Sequence, residues 1–297
     1  MIQPQRWDPR SWLSLRRERL RAWAVRGPVS AVVFECVAFG LKQAWACLFG
    51  AVMLGLLLGT HFLYPAGAPL ARYDALFLAA LGLQAALLLT RLETWEEARV
   101  IFAFHIVGTV MELFKTSVGS WVYPEEAVFR LAGVPLFSGF LYASVGSYLA
   151  RVWRIFAFRF DRFPPLWRAG VLAGAIYLNF FTHHVFFDLR WLLFAATGLV
   201  FGPTVVWFRA DRAHRPMPLV LGFLLVAVFI WFAENIGTFA RAWTYPEQSG
   251  VWRPVAFAKL GSWYLLMIIS FVLVAAVHRP KTRRALVAAS ARRVESG

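Results

Sequence analysis

The feature that most constrains this chain is a succession of apolar segments, each about as long as a helix that crosses a lipid bilayer. Such a helix needs about 20 mostly apolar residues, and eight segments approach that length. Because 60% of the 297 residues are hydrophobic and 16% are charged, we predict an all-α, multi-pass membrane protein with about eight transmembrane helices. The predicted segments cover approximately 43–64, 74–90, 100–117, 133–151, 169–187, 190–208, 217–236 and 255–277.

The region before the first segment has two interpretations. Residues 29–41 are apolar but are associated with the charges of Glu35 and Lys42, so they either lie at the membrane surface or extend the first span. No short hydrophobic stretch with a small-residue cleavage site precedes them, and we expect no cleaved signal peptide.

Basic residues predict the orientation. Of the 31 lysines and arginines, 23 lie in the two terminal arms and the even-numbered connections, against five in the opposite connections. The positive-inside rule then predicts a bacterial cytoplasmic (inner) membrane protein with both termini in the cytoplasm. The net charge of +15 is explained by this topology and by anionic lipid headgroups, so no nucleic-acid partner is expected.

The chain contains an internal duplication. Residues 112–125 and 234–247 both read Glu, eight residues, Trp, one residue, Tyr-Pro-Glu, and they are 122 positions apart. The same offset relates the Thr-His pairs at 60–61 and 182–183. We predict two tandem four-helix repeats, related by a pseudo-twofold axis along the membrane normal and enclosing a shared cavity.

This interpretation divides the chain into five parts. They are a basic cytoplasmic arm (1–28), a first four-helix repeat (29–152), a basic connection (153–168), a second repeat (169–278) and a basic tail (279–297).

Two duplicated glutamates are expected inside spans, about 10 Å below the outer loops. A carboxylate there costs about 2.5–3.5 kcal/mol on insertion scales, so it needs partners or a function. Glu112 and Glu234 could act as catalytic acid/base groups, or bind a divalent metal together with His61 and His183. Alternatively, each glutamate accepts hydrogen bonds from backbone or tyrosine groups and holds its outer loop in place.

The fifth segment ends in a polar cluster. Asn179 and His183 are four residues apart and are predicted to share a helix face, as are His184 and Asp188. A carboxylate next to a histidine can fix its tautomer and raise its basicity. We therefore expect His183, His184 and Asp188 to be catalytic and Asn179 to contact substrate.

The two Trp-x-Tyr-Pro-Glu loops are predicted to line the outer side of the cavity. Their aromatic rings suit the lipid–water boundary, and their glutamates could gate access or cap a short helix. The predicted substrate contacts in these loops are Trp121, Tyr123, Glu125, Trp243, Tyr245 and Glu247.

Several runs resemble the YoaT-like bacterial integral membrane family. They begin with Phe-His at 104–105 and continue as Gly-Thr-Val-Met-Glu-Leu-Phe-Lys, Gly-Ser-Trp-Val-Tyr-Pro-Glu, Gly-Val-Pro-Leu-Phe-Ser-Gly and Asn-Phe-Phe-Thr-His-His, the last at 179–184. This resemblance implies a membrane location and a shared fold but no particular reaction.

A looser resemblance is to the integral-membrane carotenoid cyclases and hydratases. It rests on Glu112, Trp121, Tyr123 and the Gly-Val-Pro-Leu run at 133–136. It implies acid–base chemistry on a long apolar substrate, with aromatic walls stabilising carbocation character.

The favoured function is an enzyme that acts on a lipophilic substrate, of which an isoprenoid is one candidate, in a cavity facing the outer leaflet. The alternatives are a proton- or ion-coupled small-molecule transporter and a non-catalytic scaffold. Because transport needs access from both sides and the polar residues concentrate in the outer half, the enzyme is preferred. Membrane lipid is the expected surroundings, and the sequence leaves the oligomeric state open.

Overall fold

The computed structural model describes residues 18–278 and Pro280, apart from the side chain of Glu96. A helical stretch at 18–24 is followed, in the described part, by nine longer α-helices. Their bounds are α1 Pro28–Ala46, α2 Leu48–Leu63, α3 Arg72–Leu89, α4 Trp95–Ser117, α5 Phe137–Ile155, α6 Leu166–Thr182, α7 Arg190–Phe201, α8 Leu219–Phe239 and α9 Lys259–His278.

Five helices are long and apolar enough to cross a membrane, namely α1, α3, α4, α8 and α9. The protein is therefore a mostly helical, multi-pass membrane protein, as predicted. Residues 29–41 belong to α1, and the predicted first span at 43–64 is divided at Cys47, where α1 gives way to α2.

Two small antiparallel sheets make the all-α prediction incomplete. Strands β1 (Arg130–Leu131) and β2 (Val134–Pro135) form a hairpin. Two residues of its turn have positive φ angles, +46° at Ala132 and +85° at Gly133. Glycine adopts such an angle without strain because it has no Cβ. Strands β3 (Arg159–Asp161), β4 (Val205–Arg209) and β5 (His214–Pro218) form a sheet with β4 in the centre.

The sixth predicted segment, 190–208, is not one helix. Its first part forms α7, which ends at Phe201, and its last residues belong to strand β4. In β4, Val206 pairs with Phe160 of β3 on one side and with Met217 of β5 on the other. The β-branched and aromatic residues of 205–208 favour a strand.

The connections gather at two ends of the helix bundle. At one end, which we call the sheet end, β3–β5 join the α5–α6 and α7–α8 connections. At the other, the bridge end, Val122 and Thr244 exchange two backbone hydrogen bonds of 3.0 and 2.9 Å. Arg72 lies here too and donates to the Ala240 carbonyl at 3.0 Å. Consecutive helices from α2 to α9 thus run in alternating directions.

Close helix packing depends on glycines that face large side chains. A Cβ at Gly108 of α4 would lie 2.5 Å from the ring of Tyr142 on α5, and one at Gly146 would lie 2.8 Å from the ring of Phe104. Distances this short are below any normal carbon contact, so only glycine allows α4 and α5 to approach in this way. This approach brings Tyr142 next to Glu112.

At the sheet end, a buried ion pair fastens α5 to the start of α4. The guanidinium of Arg151 lies 2.9 Å from the carboxylate of Glu93, and both side chains are fully buried. Ser147 and Gln84 donate to the same carboxylate at 2.8 and 2.6 Å. Because a buried charge without a partner costs several kcal/mol, this pair stabilises the contact between the two helices.

Candidate functional site

A cavity of about 1080 Å³ lies between the helices. Residues of α1, α2, α4, α5, α6, α8 and α9 line it, and most of them are apolar. All of the charged side chains among its described lining residues lie at the bridge end. They are Glu112, Lys115, Arg190, Glu234, Glu247 and Lys259. A mostly apolar cavity with a few convergent polar groups is the usual form of a small-molecule site.

Glu112 is 4% exposed and accepts three hydrogen bonds. The indole of Trp121 and the hydroxyl of Tyr123 donate to Oε2 at 2.8 and 2.7 Å, and the hydroxyl of Tyr142 donates to Oε1 at 2.8 Å. Two of these donors belong to the loop after α4 and one to α5, so the carboxylate holds the loop against the bundle.

Glu234 has an equivalent environment in the second half of the chain and is 3% exposed. The hydroxyl of Tyr245 donates to Oε1, and the indole of Trp263 donates to Oε2. Trp243 makes no hydrogen bond to this carboxylate. Its ring instead packs against Gly237, where a ring atom lies 2.1 Å from the position that a Cβ would take. The anchoring alternative raised from the sequence therefore matches the contacts of both glutamates.

Tyr123 and Tyr245 remain donors over a wide pH range. Burial and then the negative charge of Glu112 raise the pKa of the Tyr123 phenol well above its ordinary value. Burial and the charge of Glu234 do the same to the pKa of Tyr245. A neutral phenol can donate its proton in a hydrogen bond, so the two loops stay attached to the glutamates. The rings of Trp121 and Tyr245 also contact one another edge to face across the halves, 6.0 Å apart.

Lys115, which is 4% exposed, contacts both predicted histidines. Its Nζ lies 2.7 Å from Nε2 of His184 and 3.4 Å from Nε2 of His183. Nδ1 of His183 lies 2.9 Å from the Asn179 carbonyl and must be the donor in that contact. Nε2 of neutral His183 is therefore an acceptor facing the lysine. Lys115 thus contacts histidines, and no glutamate of the described chain forms an ion pair with it.

The predicted pairing of His184 with Asp188 does not form, because α6 ends at Thr182 and the residues beyond it are not helical. Asp188 instead lies 2.8 Å from Nε of Arg190 and accepts from Asn179 at 3.2 Å. Asn179 also accepts from the backbone of Leu189 at 2.9 Å. Asn179 and Asp188 thus shape the loop that carries the histidines.

Lys259, the first residue of α9, reaches the cavity from the second half. Its Nζ lies 4.0 Å from the ring centre of Tyr245 and 6.0 Å from that of Trp121. Among the described residues, no hydrogen-bond acceptor or ion-pair partner reaches this ammonium group. A cation over aromatic faces is stabilised without losing its capacity to donate hydrogen bonds.

The other predicted residues separate into two groups. Glu247 lines the cavity and is exposed, whereas Glu125 forms an ion pair with Arg72 at 2.6 Å and is not part of the lining. His61 packs against Phe62 and Phe239, with ring centres 4.9 and 5.7 Å apart, and does not line the cavity.

The arrangement of these side chains bears on the predicted metal site. Over residues 18–278, no group of three or more His, Cys, Asp or Glu side chains is arranged to hold a metal ion. The predicted ligand set of Glu112, Glu234, His61 and His183 is thus not brought together. Each glutamate is surrounded by its own aromatic donors, and His61 lies among phenylalanines.

Four residues of the site were missed as members of it: Tyr142, Trp263, Lys115 as a histidine partner, and Lys259. Tyr142 and Trp263 lie in apolar segments where an aromatic residue gives no specific signal. Both lysines were visible as charges at helix ends, and a lysine inside a predicted span is the signal that could have placed them in the cavity.

Helices of membrane-crossing length around a mainly apolar cavity, with charged groups at one end, define a multi-pass integral membrane protein with an internal cavity. The chain belongs to the family described as "Protein of unknown function (DUF817)", whose model matches residues 35–271. It is 44% identical over 247 residues to "Uncharacterized protein YoaT" of Bacillus subtilis (strain 168), which covers 83% of this chain and 93% of that protein. The predicted membership of a YoaT-like family is confirmed.

Two solved structures are similar in overall shape. Both are of MvINS, an Insig homologue from Mycobacterium vanbaalenii, one of them as a cross-linked trimer. They have TM-scores of 0.46 and 0.45, identities of 17% and 16%, and cover 64% of this chain and 98% of their own. The resemblance to carotenoid cyclases and hydratases has no support in these matches.

Proposed function

We propose that this protein binds a lipophilic molecule in its central cavity and acts on the polar end of that molecule by proton transfer. The observation that carries the proposal is the cavity of about 1080 Å³, which is lined mainly by apolar side chains and whose charged groups lie at one end. An elongated ligand with one polar end matches that distribution.

The Lys115–His184 contact of 2.7 Å is the pair suited to proton transfer. The Lys115 ammonium can give a proton to the polar end of a ligand, and the amine that remains can take a proton back from solvent water. Glu112 and Glu234 have their oxygens occupied by aromatic donors, so we propose an anchoring role for them in place of the expected catalytic one. In this scheme Trp121, Tyr123 and Tyr245 form the wall that the glutamates hold.

The binding step is tested by filling the cavity. Ala233 of α8 lines it, so Ala233→Trp should exclude the ligand. Ala85→Trp, on an exposed part of α3, is the matched control. Lipid extracts of the purified proteins, measured by mass spectrometry, should contain a lipophilic species near stoichiometric amount in the wild type and the control only. Equal amounts in all three proteins, or none in the wild type, would refute the proposal.

Transport is a second candidate because the cavity extends far along the bundle. Its lining includes Gln43 and Cys47 near the sheet end as well as His184 and Glu247 at the bridge end. Accumulation of a lipophilic solute in vesicles that contain the protein, without a change in its mass, would favour transport. A changed mass without accumulation would favour an enzyme, and Lys115→Gln should then abolish that change.

We further propose eight crossings by α2–α9 in the bacterial inner membrane, with the sheet end and both termini in the cytoplasm. The connections of the sheet end carry ten basic residues against five in those of the bridge end, which supports this orientation. At 12 residues, α7 is about 18 Å long and needs the extended chain after it to complete a crossing.

Cysteine labelling tests this orientation. In a Cys36→Ser/Cys47→Ser background, Gly250→Cys at the bridge end should react with a membrane-impermeant maleimide in intact cells, whereas Arg212→Cys at the sheet end should react only after lysis. The reverse pattern would overturn the proposed topology.

Two observations support the proposed tandem repeat and its division at 29–152 and 169–278. An offset of 122 residues takes α5 from Phe137–Ile155 to 259–277, next to the bounds of α9, and takes the end of α4 to the end of α8. The residues that form the bridge, Val122 and Thr244, are themselves 122 apart. A reciprocal contact between equivalent residues is what a twofold axis produces.

A further inference from the structure

We propose that the polar end of the ligand is an anion, a carboxylate or a phosphate, bound between Lys115 and Lys259. This inference rests on the proposed function, because it takes the central cavity as a ligand site. It adds the charge and the hydrogen-bonding character of the group that the site recognises.

The hydrogen-bonding capacity of the cavity wall is unbalanced toward donors. The Lys259 ammonium has three N–H groups, and none of them meets an acceptor in the described part of the chain. Lys115 Nζ contacts two histidine nitrogens and lies over the ring of Phe180 at 4.2 Å. Neither lysine forms an ion pair with a described residue, so a ligand that supplies negatively charged acceptors would complete both.

The carboxylates near the lysines do not already serve as their partners. The two oxygens of Glu112 and the two of Glu234 accept from aromatic side chains. Glu234 and Glu247 interact electrostatically with Lys259, but no oxygen of either lies within 4.0 Å of its ammonium. Arg190 differs from the lysines because Asp188 pairs with it at 2.8 Å. Among these charged groups of the described chain, Lys115 and Lys259 are therefore the two that have no carboxylate partner.

Electrostatics within the cluster point the same way. The positive charges of Lys115 and Lys259 are close enough to repel each other. An anion bound between them would replace that repulsion by two attractive contacts, and charge-assisted hydrogen bonds are the strongest class available. A cationic ligand would add to the repulsion, and a neutral alcohol would leave it unchanged.

The apolar remainder of the cavity distinguishes an amphiphile from a free anion. Away from the bridge end the lining is dominated by side chains such as Leu54, Leu141 and Val226. Burial of an alkyl chain there contributes about 0.8 kcal/mol per CH₂ group, which inorganic phosphate cannot gain. The shared chemistry is a terminal anion, and the attached chain supplies much of the affinity.

The test uses three amphiphiles with one chain, dodecyl phosphate, dodecanol and dodecylamine, together with inorganic phosphate. Binding to the purified full-length protein in a neutral detergent is measured by quenching of tryptophan fluorescence. The variants are Lys259→Gln, Lys115→Gln and the charge-retaining Lys259→Arg. The matched control is Arg253→Gln. It removes an exposed charge that lies in the loop before α9 and does not line the cavity.

We expect dodecyl phosphate to bind the wild type about tenfold more tightly than dodecanol, the effect of one charge-assisted hydrogen bond. Lys259→Gln and Lys115→Gln should each remove this preference for the phosphate over the alcohol, whereas Lys259→Arg and Arg253→Gln should keep it. Tight binding of inorganic phosphate alone would identify a site for free anions and would contradict the proposal that the ligand is an amphiphile.

The two levels of the proposal fail in different ways. If dodecanol and dodecyl phosphate bind equally and Ala233→Trp abolishes both, the anion proposal is wrong and the lipophilic cavity stands. If none of the amphiphiles binds, or if Ala233→Trp binds them like the wild type, the proposed function itself is wrong.

Discussion

At the scale of single residues, the geometry of the site depends on the hydrogen bonds that a carboxylate accepts in an apolar interior. Glu112 receives three hydrogen bonds from neutral aromatic side chains and no described cation pairs with it. Such an arrangement stabilises a buried acid without a neighbouring charge, and it fixes the orientation of three rings at once. The duplicated glutamates therefore explain why the aromatic loops keep one conformation.

Loss of one donor should reduce stability in a way that a distant hydroxyl does not. Tyr142→Phe removes the only donor to Oε1 of Glu112, and we expect it to lower the free energy of unfolding by about 1–3 kcal/mol. Tyr264, at the equivalent position in the second half, makes no hydrogen bond within the described chain, so Tyr264→Phe should cost less than about 0.5 kcal/mol. Thermal unfolding in detergent, followed by tryptophan fluorescence, measures both. Equal losses would contradict the assigned role of the hydroxyl.

The phenols should also give the protein a defined response to alkali. Since the pKa of Tyr123 and that of Tyr245 are raised above 10.0 in the folded state, these groups keep their protons when the unfolded chain has lost them. Stability from this source is complete below about pH 10 and falls as the pH rises further. The melting temperature should therefore decrease above pH 10, and by less in Tyr123→Phe/Tyr245→Phe. An identical alkaline decrease in the double variant would exclude the phenols as its cause.

At the scale of helices and loops, glycines decide how closely neighbouring elements approach. Gly108 and Gly146 admit rings between α4 and α5, and Gly237 admits Trp243 against α8. The residues that occupy the space at Gly108 and Gly237, Tyr142 and Trp243, also line the cavity. Helix spacing and site geometry are therefore set by the same contacts.

A methyl group at Gly237 should displace the second aromatic loop. The ideal Cβ would lie 2.1 Å from the ring of Trp243, so Gly237→Ala should lower stability by about 1–3 kcal/mol. Gly174→Ala in α6, where nothing lies within 4 Å of the added carbon, should be neutral or slightly stabilising because alanine favours helix. Thermal unfolding of the two variants tests this contrast, and a stable Gly237→Ala with unchanged fluorescence would show that the loop can move at little cost.

Much of this level was predictable from the sequence, but only where the determinants are local. Apolar segments predicted the helical, multi-pass character, and the repeated Glu–Trp–Tyr pattern correctly selected residues that lie around one cavity. The assignment of 190–208 to one continuous helix was wrong because hydropathy does not separate an apolar strand from an apolar helix. The pairing of His184 with Asp188 was wrong because it assumed a helix beyond Thr182. The contact of Tyr142 with Glu112 and the position of Lys259 depend on tertiary approach, which spacing along the chain does not encode.

At the scale of the whole molecule, the two halves meet through backbone as well as side chains. The reciprocal hydrogen bonds of Val122 and Thr244 join loops that are more than a hundred residues apart in the chain. Arg72 adds a second link, because it pairs with Glu125 in one loop and donates to the Ala240 carbonyl in the other. These contacts consequently hold the two loops of the bridge end together, next to the charged groups of the cavity.

A disulfide across this bridge should form readily. Hydrogen-bonded antiparallel pairs have Cα atoms about 5.5 Å apart, which lies within disulfide range. In a Cys36→Ser/Cys47→Ser background, Val122→Cys/Thr244→Cys should oxidise within one chain and raise the melting temperature, which a reductant should reverse. Mass spectrometry of free thiols and unfolding with and without reductant measure this, and each single variant is the control. Failure to oxidise would place the two loops farther apart than described.

The bridge between equivalent residues has a consequence for the history of the cavity. Two identical copies meeting across such a contact would present the same groups twice, so a bound molecule could lie in either of two opposite directions. In the present chain Gly237 stands where the second copy of Lys115 would be, and Phe137 stands where the first copy of Lys259 would be. Under the proposed duplication, each half has kept one of the two cations and lost the other. We infer that this divergence gave the cavity a head and a tail, so that a guest molecule has a single direction in which to lie.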